Sequence, residues 1–262
     1  MRILDTQIIS YALKGKSDLP KTKNSISSIS ANEFLLVQGE NLVQASYYVP
    51  LLSRYRMGKM FGFSEEQDYS NHKLRIGHPF SKRSTDQIIL YFGYQFPTIV
   101  EYGSLAISML INKKVLGLFD EAIQFLPKTK RKKIRKRYDF LLDNDVQCVP
   151  LTKQSVAVAL TLFQEFIEKY NLKANFRNSV NDILILASAI DSSVALMTDD
   201  LLLKEFSSDK YQVPITQENN FSVIDFSDCD AIVKKIRSES KGYINKGWQA
   251  RFRNYGHKLI TA

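Results

Sequence analysis

Four short stretches set an acid where the residue pattern hands a strand over to a helix: Arg2-Ile3-Leu4-Asp5-Thr6, Ser28-Ile29-Ser30-Ala31-Asn32-Glu33, Asn181-Asp182 and Leu196-Met197-Thr198-Asp199-Asp200. If the flanking strands lie parallel in one sheet, the acids converge on the crevice at its carboxyl edge, where open α/β folds keep their sites. Carboxylates gathered there suit Mg²⁺ or Mn²⁺, because hard cations take oxygen ligands. Like charges at one edge repel unless a cation shares their oxygens. Two ions about 3.5–4 Å apart can activate a water and stabilise the leaving oxygen of an in-line displacement. The chemistry these residues suit is metal-assisted cleavage of a phosphodiester.

Each acid also has a plain structural reading. Ser30-x-x-Glu33 and Ser179-x-x-Asp182 fit a helix capping box, and Asp199 or Asp200 fits an N-cap after a strand. A lone Asp5 after a strand is a common turn residue. A functional carboxylate at the end of a parallel strand occupies the same first-turn position as a cap, so the readings overlap. A second candidate for the Glu33 role is Glu101, because Pro97-Thr98-Ile99-Val100-Glu101 also reads as a strand entering a helix; the strand-like lead-in from Ser25 to Ser30 favours Glu33. Other chemistries lack their parts. The three histidines, His72, His78 and His257, lie outside the strand-end pattern. No nucleophile elbow, P-loop or GxGxxG turn is present.

The elements that must position these acids alternate. Ile3-Leu4 opens a strand and Thr6 to Leu13 the helix after it. Ser25 to Ser30 suits a second strand, followed by a helix from about Ala31. Val146 to Leu151 reads as a third strand, Thr152 to Tyr170 as an amphipathic helix, and Ser179 to Ile190 as a buried one. Val194 to Met197 is a fourth strand, Leu201 to Phe206 a short helix, and Phe221 to Phe226 a fifth strand. Strand–helix alternation implies parallel βαβ units. The alternation fades between about residues 46 and 144, including irregular stretches around Gly58–Phe63 and Gly77–Pro79. That region reads as a mostly helical insertion into a domain spanning 1–226, with its core in 1–45 and 145–226; residues 227–262 read as a basic, aromatic extension.

Composition bounds the partners. The chain has 262 residues, 44% of them hydrophobic and 11% aromatic, enough for an ordinary packed core. A net charge of +9 and a pI near 9.3 favour an anionic partner, nucleic acid first. Two cysteines, Cys148 and Cys229, without a CxxC pattern argue against a disulfide framework or zinc site and fit a reducing cytosol. Asp5 interrupts the first apolar run, so no signal peptide is expected, and no apolar run approaches the ~18 residues of a membrane span. The expected location is cytoplasmic.

Leu4-Asp5-Thr6, Ser30-x-x-Glu33-Phe34, Asn181-Asp182 with the apolar helix after it, and Leu196-Met197-Thr198-Asp199-Asp200 resemble the PIN domain, in particular the VapC-type toxin ribonucleases. Asn181 to Phe206 is the most specific part. The resemblance covers roughly residues 1–45 and 145–226. It implies an α/β, three-layer fold with a five-stranded, mainly parallel sheet flanked by helices, and a Mg²⁺- or Mn²⁺-dependent endoribonuclease acting on single-stranded RNA. Asp5, Glu33, Asp182 and Asp200 would be the acidic quartet, with Asp5, Asp182 and Asp200 holding metal and Asp199 a substitute for Asp200. Thr6, Thr198 and Asn181 would be accessory neighbours. A toxin with a protein antitoxin, a defence nuclease, an RNA-processing enzyme and a homodimer all fit the resemblance. DNA is also compatible, because the chemistry needs no 2′-hydroxyl. The long spacing between Glu33 and Asp182 departs from compact family members. A contrasting reading makes the chain a nucleic-acid- or partner-binding module with a vestigial acidic edge.

Two segments carry the excess charge. Lys128, Lys130, Arg131, Lys132, Lys133, Arg135, Lys136 and Arg137 fall within ten positions and suit phosphate tracking, or a solvated helix face. From Lys241 onward, cations including Arg251 and Arg253 mix with Tyr243, Trp248, Phe252 and Tyr255. This mixture suits stacking on single-stranded bases, or aromatic docking on the domain.

Overall fold

The computed structural model describes residues 1–35, 44–47, 86–124, 126–172, 175–228, 230–239 and 247–253. His72, His78, His257, Cys229, the Gly58–Phe63 and Gly77–Pro79 stretches, Tyr243 and Tyr255 lie outside them. In chain order the strands are β1 (Arg2–Leu4), β2 (Asn24–Ser27), β3 (Gln44–Tyr47), β4 (Gln87–Phe92), β5 (Phe96–Tyr102), β6 (Gln147–Val149), β7 (Ala195–Thr198), β8 (Ile215–Glu218), β9 (Phe221–Ile224) and β10 (Gln249–Arg253). The helices are α1 (Thr6–Leu13), α2 (Ser28–Leu35), α3 (Leu105–Asn112), α4 (Leu116–Ile123), α5 (Lys128–Asp143), α6 (Lys153–Lys169), α7 (Phe176–Ser192), α8 (Leu201–Tyr211) and α9 (Asp230–Glu239).

The first sheet has six strands in the order β6-β2-β1-β7-β9-β8. From β6 to β7 every pairing is parallel, with Ile3 opposite both Ser25 and Leu196. Alternation along the strands splits the core in two. Ile3 and Leu196 face a layer built with α6 and α7, while Leu4 and Met197 face α1, α2, α3 and α5. The architecture is therefore α/β, a mixed sheet between helical layers. No helix among the described residues is long and apolar enough to cross a membrane.

The expected fifth parallel strand needs correction. Phe221–Ile224 runs antiparallel to β7, and an unanticipated strand, β8, runs antiparallel beside it. The cause is local: Asn219 and Asn220 both take positive φ, 51° and 69°. A two-residue loop of that kind is the tight reversal that matches strand twist, and asparagine tolerates it. Two helix starts also moved. α2 begins at Ser28, not near Ala31, because the Ser27 hydroxyl accepts from Ser30 N at 3.0 Å and caps the first turn. α7 begins at Phe176, with Asn175 accepting from Arg177 N.

Among its described residues the insertion is more helix than strand, but it also contains strands that the helical reading did not announce. Its later part forms α3, α4 and α5, but its described earlier part supplies β3, β4 and β5 of a second sheet ordered β10-β4-β5-β3. Ile88, Ile89, Tyr91, Phe92, Ile99 and Val100 favour a pleated, half-buried surface, and Gly93 at φ 69° permits the turn between β4 and β5. After α9, residues 249–253 form β10, which pairs antiparallel with β4 from Gln249 opposite Tyr91 to Arg253 opposite Gln87. Trp248 is 2% exposed, with its ring 5.3 Å from Phe92 and 5.7 Å from Phe163.

Candidate active site

Asp5 stands one residue past β1, at the carboxyl edge of the first sheet. It holds the N-cap position of α1, yet its side chain makes no capping hydrogen bond. Instead Oδ2 accepts from the Thr198 hydroxyl at 2.7 Å. The register that sets Leu4 beside Met197 brings the two residues together. The Thr198 oxygen in turn accepts from Asp200 N at 3.0 Å. Asp200 caps α8 through Oδ1, which accepts from Leu203 N at 3.0 Å. Capping and a place at the edge coincide in this residue. Asp5 is only 3% exposed. Burial raises its carboxyl above the usual aspartate range, the Thr198 hydrogen bond pulls it down, and the Asp200 charge raises it again.

Glu33 does not act as a capping-box acid. Its Oε2 accepts from the Thr6 hydroxyl at 2.7 Å, and its Oε1 accepts from the Asn181 side-chain amide, 148 positions away. Asn181 Oδ1 accepts from the phenol of Tyr102, at the end of β5. One hydrogen-bonded chain thus runs from the second sheet to the residue next to Asp5. Ser179 and Asp182 form no capping box either, because both sit inside α7.

Asp182 follows Asn181 on α7 and is half-buried. Asp199 is exposed, its Oδ2 3.5 Å from the Tyr11 hydroxyl. Glu101 lies within β5, paired opposite Ile89 and Ser46 and buried, rather than at the start of a helix. Alternation sends it to the face opposite Tyr102. Among the described residues no group of three or more His, Cys, Asp or Glu side chains is placed to hold a metal ion. The expected assembly of Asp5, Asp182 and Asp200 is therefore not formed.

What the edge offers is a pair, Asp5 and Asp200, bridged by Thr198. That donor set suits Mg²⁺, which keeps several waters and binds through one or two carboxylates plus substrate phosphate oxygens. Burial and the Asp200 charge both disfavour the ionised form of Asp5, and a cation would offset both.

The basic run lies on α5. Ile134, Tyr138 and Leu141 form its buried stripe, and Lys128, Lys130, Arg131, Lys132, Lys133 and Lys136 are exposed. The other two cations are used internally. Arg135 bonds Asp120 and Asp139, which raise its guanidinium pKa further. Arg137 donates to the Phe34 carbonyl and lies over the Phe34 ring at 5.6 Å, next to Glu33 in sequence. Trp248 is core, and Arg251 is exposed and bonded to Gln249; of Arg253 only the backbone is described, in β10. Tyr102 was not anticipated from the sequence, and only its place in a β-prone run could have drawn notice. Comparisons with protein-family models, curated proteins and solved structures found no match.

Proposed function

We propose that the chain is a Mg²⁺- or Mn²⁺-dependent nuclease of PIN type that cleaves phosphodiester bonds of single-stranded RNA. The observation that carries this reading is the Asp5–Thr198–Asp200 cluster at the carboxyl ends of two adjacent parallel strands. Asp5 and Asp200 would hold the ion. The ion would supply an activated water and charge stabilisation for the leaving oxygen. Thr198 spends its proton on Asp5 and its lone pair on the Asp200 amide, so the two acids keep a fixed spacing. Thr6 commits its proton to Glu33, which leaves the hydroxyl oxygen as an acceptor beside Asp5. Burial of Asp5 lowers the local dielectric and strengthens its hold on a cation.

Six exposed cations on α5 would track the phosphates, giving affinity more than sequence choice. Arg137 ties their helix to α2 at the Phe34 carbonyl, one residue from Glu33, and this contact supports a link between the cationic helix and the element that carries Glu33.

The absence of a three-acid group among the described residues favours one second reading, a nucleic-acid-binding module with a vestigial acidic edge. One experiment separates them. Purified protein is incubated with single-stranded RNA in Mg²⁺, in Mn²⁺ and in EDTA, beside Asp5→Asn, Asp182→Asn and Asp200→Asn. The nuclease reading expects metal-dependent cleavage that falls at least about 100-fold in Asp5→Asn and Asp200→Asn. Cleavage that survives both substitutions sinks it, and RNA binding without cleavage in any metal favours the second reading.

A further inference from the structure

Tyr102 is where the second sheet enters the acid edge. It lies at the end of β5 with its ring fully buried, and its phenol donates to Oδ1 of Asn181, 79 positions away. Asn181 is itself fully buried. An O–H donor at the amide oxygen and a carboxylate at the amide nitrogen set the same orientation from both ends, because an amide nitrogen cannot accept and a carboxylate cannot donate. The Asn181 nitrogen is thereby turned to Glu33 Oε1, and Glu33 Oε2 takes the Thr6 proton. Phenylalanine would fill nearly the same volume without the cost of taking a hydroxyl out of water. Here the hydroxyl is spent on a side chain whose other end grips a residue of the proposed site.

We infer that Tyr102 is a positioning residue contributed by the insertion. Acting through the Asn181 amide, it holds Glu33 as the fixed acceptor that orients the Thr6 hydroxyl beside Asp5. The kinetic consequence rests on the nuclease reading; the relay itself does not. Each link limits the freedom of the next, and members of such a chain contribute non-additively when deleted. Loss of the phenol leaves the Asn181 amide held at its nitrogen end alone, so its hold on Glu33 loosens and the Thr6 hydroxyl loses its fixed orientation. Substrate grip on α5 is untouched by that change.

The experiment is a double-mutant cycle read in two ways. Tyr102→Phe, Glu33→Ala and the double variant are first compared by thermal unfolding without metal or RNA. The relay predicts that the melting-temperature loss of the double variant is close to the larger single loss; losses that sum overturn it. Glu33→Gln completes the cycle if Glu33→Ala does not fold. The same proteins are then assayed with single-stranded RNA and Mn²⁺. Tyr102→Phe should lower kcat about tenfold with KM within about twofold, the pattern of an interaction made only in the transition state. An unchanged kcat in an otherwise active protein overturns the positioning role. A wild-type protein that cleaves nothing defeats the nuclease reading alone, and the unfolding cycle still decides the relay.

Discussion

The two sheets of this molecule are built on opposite principles. The first gathers short strands whose ends carry acids, and it keeps Asp5 buried against the charge of Asp200. The second is lined by aromatic rings, with Phe92, Phe163, Phe176 and Trp248 meeting at centroid distances of 5.2 to 5.7 Å. One sheet holds charge at a cost to stability, and the other supplies dry packing and the Tyr102 hydroxyl that reaches across. A site that must keep like charges close gains from a neighbour that cannot shift.

The largest test of this contrast is Asp5→Asn. It should cut cleavage at least about 100-fold yet raise the melting temperature, by about 2–4 °C for each kcal/mol of charge penalty removed in a chain of this size. The sign follows from the raised carboxyl. The folded state disfavours the charged form, so wild-type stability should fall as pH rises from the ordinary aspartate pKa to the raised one, and return on acidification. The asparagine variant should lack that dependence. A variant that melts earlier than wild type at neutral pH would remove the strained sheet from the comparison.

Trp248→Ala probes the other side. Removing a buried indole costs about 3–5 kcal/mol, which should appear as a melting-temperature loss on the order of 10 °C. RNA affinity of the folded fraction should be unchanged, since the ring is core. If affinity falls while the melting temperature holds, the aromatic sheet is a binding surface after all.

Replacing Lys130, Arg131, Lys132 and Lys133 with glutamine sharpens the division between chemistry and grip. Binding to all RNAs should weaken alike, and the slope of log affinity against log salt should shrink by about 0.7 for each lost phosphate contact. The Mg²⁺-induced rise in melting temperature should persist, because Asp5 and Asp200 are untouched. An unchanged salt slope would make the run a solvated face.

The smallest expected effect is at Cys148 on β6. Burial pushes its thiol up to about 12, and its sulfur lies 3.3 Å from the Ser108 hydroxyl. Almost no thiolate exists at pH 8, so alkylation of native protein should be negligible beside that of the unfolded chain. Rapid labelling would show that the helix-covered face of the first sheet opens readily.

Legibility in the sequence followed the range of the interactions. Asp5 and Asp200 could be read because each closely follows a short apolar run, and the local pattern sets both strand and edge. The strand-like lead-in to Glu33 could be read from the sequence, although its partners, Thr6 and Asn181, could not. The Asn219-Asn220 reversal was present as a turn signal between two short runs, but the alternation of strand and helix before it suggested another parallel strand. The charge run misled in part, because it is read as eight equal cations. Arg135 and Arg137 flank the buried stripe of Ile134, Tyr138 and Leu141, and that phase draws them into internal contacts. Trp248 among cations fits stacking on bases as well as docking on protein, and only the pairing of β10 with β4 decides between them. No local pattern announces Tyr102, since its meaning depends on an amide 79 positions away.

The pairing of β10 with β4 has a consequence in time. The two strands lie about 160 residues apart in the chain, so at ordinary synthesis rates of about 5–20 residues per second β4 waits roughly 8–30 s for its neighbour. During that interval the β4–β5 hairpin presents one unpaired edge with Ile88, Leu90 and Phe92 along it, a template for association with other chains. Completion of the aromatic sheet is therefore a late event of biosynthesis. The acid edge, whose described strands end with β9, is translated before the strand that closes its buttress.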